Sequence, residues 1–101
     1  MKHRHIIDHA LDARRKGKPR VLHIRRYEAD ANRRASLRGI PTKKGFDRDE
    51  YPPAMSDEGG KGASVRYVGS SENRSAGSVM GSQLRRYCNE QRFIIERWRN
   101  R

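Results

Sequence analysis

The run Asp57-Glu58-Gly59-Gly60-Lys61-Gly62 constrains this chain more than any other stretch. Three glycines beside two acids are turn chemistry, because glycine supplies backbone angles that side chains forbid. The segment after it, Ala63-Ser64-Val65-Arg66-Tyr67-Val68, alternates small or apolar with polar residues and predicts a strand. The segment before it, residues 47–56, can enter a strand, with Pro52 and Pro53 barred from a central ladder position. Ser70 and Ser71 are both N-cap types, and Ala76, Met80, Leu84 and Tyr87 then fall on one helical face. The middle of the chain therefore reads extended segment, turn, strand, helix, which is a ββα unit.

The flanks predict further elements. Ile6, Ile7, Ala10 and Leu11 recur at helical spacing within residues 3–16, and Gly17 followed by Pro19 ends that helix. Val21-Leu22-His23-Ile24 predicts a short strand within 20–26. Residues 28–38 predict a short basic helix ending at Gly39, and Ile40 to Phe46 a loop. Phe93-Ile94-Ile95 with Trp98 predicts a closing core strand. No internal repeat is present. The fold class expected is α+β: one domain over residues 1–101, with a short sheet and flanking helices. With 101 residues of which 33% are hydrophobic, the core must be thin, so stability leans on something besides apolar burial, such as a metal or a bound partner.

Charge narrows the partner. Lys and Arg total 24 against 12 Asp and Glu, a formal net charge of +12. Arginine predominates, and its planar fork of donors matches phosphate oxygens. A polyanion is the expected partner, and nucleic acid is the commonest. A packaging-type protein without chemistry satisfies the same composition. Cys88 is the single cysteine, so no intrachain disulfide can form. No stretch reads as a signal peptide or a membrane span. The expected location is cytoplasmic, or exported as part of a larger protein.

Chemistry concentrates at Asp47-Arg48-Asp49-Glu50. A carboxylate can bind a divalent metal or take a proton from water, and an arginine can hold the scissile phosphate. A solvated acidic turn is the plainer reading of these four residues alone. In a chain so cationic, however, a compact acidic cluster on a DNA-binding surface would repel phosphate unless a cation bridged it. Glu72-Asn73-Arg74 opens the last helix, where Asn73 can offer its side-chain oxygen to a metal and backbone N–H groups favour phosphate. A simple first-turn residue is the plainer reading of Asn73. His3, His5 and His9 read as surface histidines rather than a metal site, although His5 and His9 stand one helical turn apart. Cys88 has no His or acid motif beside it and reads as a bystander. Arg85, Arg86, Arg97, Arg99 and Arg101 are a DNA track or solvated charge.

The run Ser36-Leu37-Arg38-Gly39-Ile40-Pro41-Thr42-Lys43, then Gly45-Phe46-Asp47-Arg48-Asp49-Glu50-Tyr51-Pro52, resembles the signature of the NucA/NucB deoxyribonuclease family. So do Glu58-Gly59-Gly60-Lys61-Gly62-Ala63-Ser64-Val65-Arg66-Tyr67-Val68 and Asn73-Arg74 with Ala76-Gly77-Ser78, Gly81 and Gln83. The similarity extends weakly back to His5-Ile6 and Asp8-Ala10, and forward to Phe93-Ile94-Ile95. The resemblance implies a reduced ββα-metal fold and a secreted or DNA-entry type of endonuclease. It also implies that an acid of the Asp-Arg-Asp-Glu motif replaces the usual histidine base. That role carries to Asp49, with Glu50 as the nearest substitute. Asn73 is the implied helix ligand for metal, with Gln83 a weaker contributor. Three departures are expected: Leu22 and Ser56 occupy the positions of a cysteine pair that secreted members carry, Val79 that of an aromatic residue, and no counterpart of the family's extra N-terminal strand is expected before the first helix.

The leading reading is a sequence-nonspecific endodeoxyribonuclease that uses Mg²⁺ or Mn²⁺. Asp49 is its general base, aided by Asp47, Arg48 and Glu50, with DNA contacts from Arg66, Arg74, Lys43, Lys44 and Lys61. It is expected to be monomeric and without membrane attachment, with an immunity or inhibitor protein as a further partner. Two alternatives stay open: a non-catalytic basic nucleic-acid-binding module, and the nuclease domain of an interbacterial toxin.

Overall fold

The computed structural model describes residues 2–96. The elements in chain order are α1 (Arg4–Arg15), β1 (Leu22–His23), a 3₁₀ turn (Arg26–Glu28), α2 (Ala29–Leu37), β2 (Phe46–Tyr51), β3 (Ser64–Gly69), α3 (Ser70–Leu84) and β4 (Arg92–Phe93). The α+β class and the central ββα unit are present. Among the described residues the sheet is not continuous: β2 pairs only with β3, and β1 only with β4, both antiparallel. Trp98, placed by sequence in the closing strand, lies outside the described residues, as do Arg97, Arg99 and Arg101.

The β2–β3 hairpin organises the rest. Its register runs from Phe46 opposite Gly69 to Tyr51 opposite Ser64. Helices α1 and α3 pack on the hairpin and on each other, and α2 also meets it. The glycine-rich turn joining the strands is fixed by close approach. A Cβ on Gly59 would stand 2.3 Å from the Pro53 carbonyl oxygen, closer than any side chain permits. Gly60 has φ of 100° and sits against the Asn32 side chain of α2. Asn32 in turn donates to the carbonyls of Ala54 and Ser56, which ties α2 to the segment after β2.

Burial explains α1. Ile7, Ala10 and Ala13 recur at three-residue intervals and are buried, while Arg4, His5 and Asp8 stay in solvent. The helix begins without a cap from its own side chains. The Glu72 carboxylate of α3 instead accepts the N–H groups of His5 and Ile6, at 2.7 and 3.2 Å. That satisfies donors a helix start leaves free. Helix α3 is likewise uncapped by Ser70 or Ser71, contrary to the sequence expectation: Gly69 is its N-cap residue, and the Ser70 hydroxyl turns toward β2.

Ala10, Ala13, Leu22, Ile24, Tyr51, Leu84 and Phe93 form the core, with Met55, Met80 and Ile95 packed against it. Of the expected Phe93-Ile94-Ile95 run, Phe93 is buried but Ile94 faces solvent, as alternation along an extended segment dictates. Tyr87 is also exposed, because α3 ends before it. Leu22 and Ser56, which stand where the resemblance places a cysteine pair in secreted members, are both fully buried. Val79, in place of an aromatic, is exposed on α3.

Tyr51 carries the core's main polar link. Its hydroxyl accepts Arg14 Nε at 2.9 Å and donates to the Pro19 carbonyl at 2.7 Å, while Arg14 also donates to the Ile95 carbonyl. Tyr51→Phe leaves the Pro19 oxygen without this donor and Arg14 Nε without this acceptor, inside a nearly closed core. The expected loss is about 1–3 kcal/mol of unfolding free energy, measured by urea titration. No measurable change would show that water replaces both bonds.

Candidate active site

Side-chain alternation divides the Asp-Arg-Asp-Glu motif between the two faces of the hairpin. Asp47 and Asp49 point toward α1 and α3, while Arg48 and Glu50 point toward α2 and the loop before β2. The contacts make this division explicit. Asp49 meets His9 of α1 and Asp47 meets α3, whereas Glu50 accepts from the Ser36 hydroxyl of α2 and Arg48 donates to the Ile40 carbonyl at 2.8 Å. The four residues expected to act together are thus two pairs. Glu50 is on the wrong face to substitute for Asp49, and Arg48 is on the wrong face to hold a phosphate beside it.

On the α1/α3 face, Asp49 Oδ2 accepts the Nδ1–H of His9 at 2.6 Å, and His9 Nε2 bonds the Ser64 hydroxyl at 2.9 Å. The His9 side chain is 0% exposed and that of Asp49 18% exposed. His9 is therefore no surface histidine. It shares the buried face of α1 with Ala13, four residues on, and that spacing was the signal sequence reading passed over. Arg66 stands opposite Asp49 in the β-ladder, yet its guanidinium reaches Asp12 of α1 at 2.7 Å. The Asp12 carboxyl is held below its ordinary value, first by a hydrogen bond from Lys16 and also by Arg66.

Two residues along β2, Asp47 lies against the start of α3. It accepts the Ser70 hydroxyl at 2.9 Å, the Asn73 amide at 3.1 Å and Arg74 Nε at 3.3 Å. Ser70, then Asn73, hold the Asp47 carboxyl below its ordinary value, so it is ionised. An ionised carboxylate only accepts, so Asn73 presents its nitrogen to Asp47 and keeps its Oδ1 for another partner. The helix start that was expected to receive phosphate already faces this carboxylate, which favours the helix dipole itself.

The hard oxygens on this edge, Asn73 Oδ1 and the two carboxylates, are donors of the class Mg²⁺ and Mn²⁺ accept, and Mg²⁺ is commonly held by one or two protein groups with waters. Among the described residues no group of three His, Cys, Asp or Glu side chains converges as a cage. Gln83 does not join Asn73. It is ten residues further along α3, about 15 Å at the helical rise, and is exposed.

The basic residues are similarly dispersed. Arg66 and Arg74 belong to the face of Asp47 and Asp49. Lys43 lies over the rings of Phe46 and Tyr67, on the opposite face, with Lys44 exposed beside it. Lys61 is exposed in the turn at the far end of the hairpin. Arg85 and Arg86 are exposed beyond α3, and Cys88 is free and exposed. No helix among the described residues is long and apolar enough to cross a membrane.

The pattern of the family described as deoxyribonuclease NucA/NucB matches residues 6–95. A DNA-entry nuclease of Bacillus subtilis (strain 168) is 48% identical over 79 residues, covering 78% of this chain and 54% of the relative. The chain thus spans about half the length of the curated relative it matches.

The separation of Glu50 from the opposite face has a measurable consequence. Burial pushes its carboxyl above the ordinary 4.5, against the opposing Ser36 hydrogen bond. A carboxyl with a raised folded-state value contributes stability that is fully present below the unfolded value and lost as pH rises through the folded one. Glu50→Gln mimics the protonated form. Its urea midpoint relative to wild type should therefore move in the variant's favour as pH rises above the ordinary carboxyl value of 4.5. Movement the other way would mean that Arg33 and Ser36 outweigh burial.

Proposed function

The chain belongs to the deoxyribonuclease NucA/NucB family, and we propose that it is a divalent-metal-dependent, sequence-nonspecific endonuclease of DNA with Asp49 as general base. The observation that carries this reading is the shared face of Asp49, Asp47 and Asn73: a fixed carboxylate two residues along the strand from an acid that orients an amide oxygen. Alternate residues on a strand are about 7 Å apart. That spacing leaves room for a water and a phosphate between the base and the helix start.

In the reaction proposed, a water oxygen bonds to phosphorus, its proton passes to Asp49, and the bridging P–O bond breaks. The leaving oxygen then takes a proton from solvent. Asn73, through Oδ1, is the residue proposed to hold the metal, with Asp47 turning the amide outward. When bound, the metal supplies charge stabilisation for the phosphate as it accumulates electron density. Arg74, with a side chain 76% exposed, can leave Asp47 for a phosphate oxygen at little cost. Arg66 can do the same from Asp12 on the other side of Asp49. Lys43, Lys44 and Lys61 lie away from this centre and would contact the backbone of a longer duplex rather than the scissile phosphate. Contacts of this kind read no base edges, and this supports nonspecific cleavage.

Supercoiled plasmid should be nicked and then degraded with Mg²⁺ or Mn²⁺, and EDTA should stop it. Asp49→Asn keeps the size of the side chain and its bond to His9 but removes the proton acceptor. Turnover should fall about 10²- to 10⁴-fold while duplex affinity holds or rises. Retention of near-full activity would remove Asp49 from the mechanism. Affinity for unrelated duplexes should be similar and should fall steeply as salt rises, since phosphate contacts release counterions. A strong preference for one short site would contradict nonspecific binding.

A further inference from the structure

His9 is the one fully buried histidine among the described residues, and both of its ring nitrogens are engaged. Its bonds join three elements: α1 through its own backbone, β2 through Asp49, and β3 through Ser64. Burying an imidazole costs free energy unless both nitrogens find partners. Packing alone does not call for it, since Ala10 and Ala13 beside it are small and apolar. A side chain with no solvent exposure cannot touch substrate, whereas Asp49, which it holds, is open at its edge.

We propose that His9 is a positioning residue for Asp49: its Nδ1–H ties down Oδ2 and leaves Oδ1 as the atom that takes the proton from water. This rests on the reading of Asp49 as the base. The direction of the bond follows from that reading: a carboxylate able to take a proton only accepts hydrogen bonds, so Nδ1 carries the hydrogen. Among the described residues Asp49 Oδ1 has no hydrogen-bond partner. The Ser64 hydroxyl fixes the other end of the ring. It donates to Nε2 when the ring is neutral and accepts from it when the ring is charged, so the bond to Asp49 persists in either state. Without His9, the carboxylate would rotate about its side-chain bonds and be aligned with the attacking water only part of the time. That loss would appear in turnover and not in DNA binding.

The test uses the full chain with Mg²⁺ and a fluorescent duplex oligonucleotide, reading kcat and KM separately, with thermal unfolding alongside. His9→Phe keeps the ring and removes both bonds, and kcat should fall about 10- to 100-fold with KM within about twofold, as for loss of a supporting hydrogen bond in other sites. His9→Asn sets its amide N–H near the place of Nδ1 and should recover most of the loss. His9→Gln reaches toward Ser64 instead and should not. If the phenylalanine variant does not fold, the Asn and Gln variants still carry the comparison, since they differ in where the donor sits. Unchanged kcat in His9→Phe would overturn the proposal. So would equal loss in the Asn and Gln variants, or loss in all three that tracks their melting temperatures. Failure of this inference is distinguishable from failure of the base assignment. If Asp49→Asn is inactive and His9→Phe fully active, only the positioning role falls; if Asp49→Asn is active, the base reading falls first. In the double variant His9→Phe/Asp49→Asn, turnover should drop no further than in Asp49→Asn alone, because His9 acts only through Asp49.

Discussion

Antiparallel pairing of β2 with β3 is the constraint on which the rest of the structure depends. It is a local hairpin whose turn only glycine can make at Gly59, and its register fixes every side chain on it to one face or the other. A slip of one residue would exchange Asp47 and Asp49 for Arg48 and Glu50 beneath α1 and α3. Register here does more than align backbone bonds. It decides which two of three neighbouring acids share a face with the N-terminal turn of α3.

The cationic excess makes those acids informative. In a chain of net charge +12, most carboxylates pair with arginine or lysine, as Asp12 and Glu96 do. Such exposed pairs contribute little stability. Asp49 differs because its partner is a buried histidine, and Asp47 because two of its partners are the neutral donors Ser70 and Asn73. Those donors hold Asp47 ionised, a fixed negative charge in a chain that otherwise repels cations and gathers anions.

Much of this was legible in sequence, and what was not has a common cause. Helices α1 and α3 and the central hairpin were evident from periodicity, glycine placement and the proline stop after Tyr51. The Asp-Arg-Asp-Glu motif was evident too, as a compact cluster of acids in a cationic chain. Its division between two faces follows from period two and needed only firm commitment to the strand. By contrast, the bonds of His9 to Asp49 and Ser64 join residues 40 and 55 positions apart, and nothing local in the sequence reports them. The caps were misread for the same reason. Ser70 turns to Asp47, and Glu72 serves the start of α1, 66 positions away from Ile6. Distant partners override local propensity wherever an element end meets another element.

Such partners are to be expected in a chain with so thin an apolar core. Where apolar burial supplies less, polar groups must enter the interior, and each that does must find its partners there. Tyr51 with Arg14 and Pro19, Asn32 with Ala54 and Ser56, and His9 with Asp49 and Ser64 each join a helix to the hairpin or to the segment leaving it. Apolar contacts tolerate small rotations, whereas hydrogen bonds between buried groups specify them. An interior held this way gives up tolerance to substitution, because removing one partner leaves the other desolvated and unpaired. It gains orientation. A carboxylate aimed to within a fraction of an ångström is what general-base chemistry needs. In this fold the bond between His9 and Asp49 is one of those that hold α1 to the hairpin.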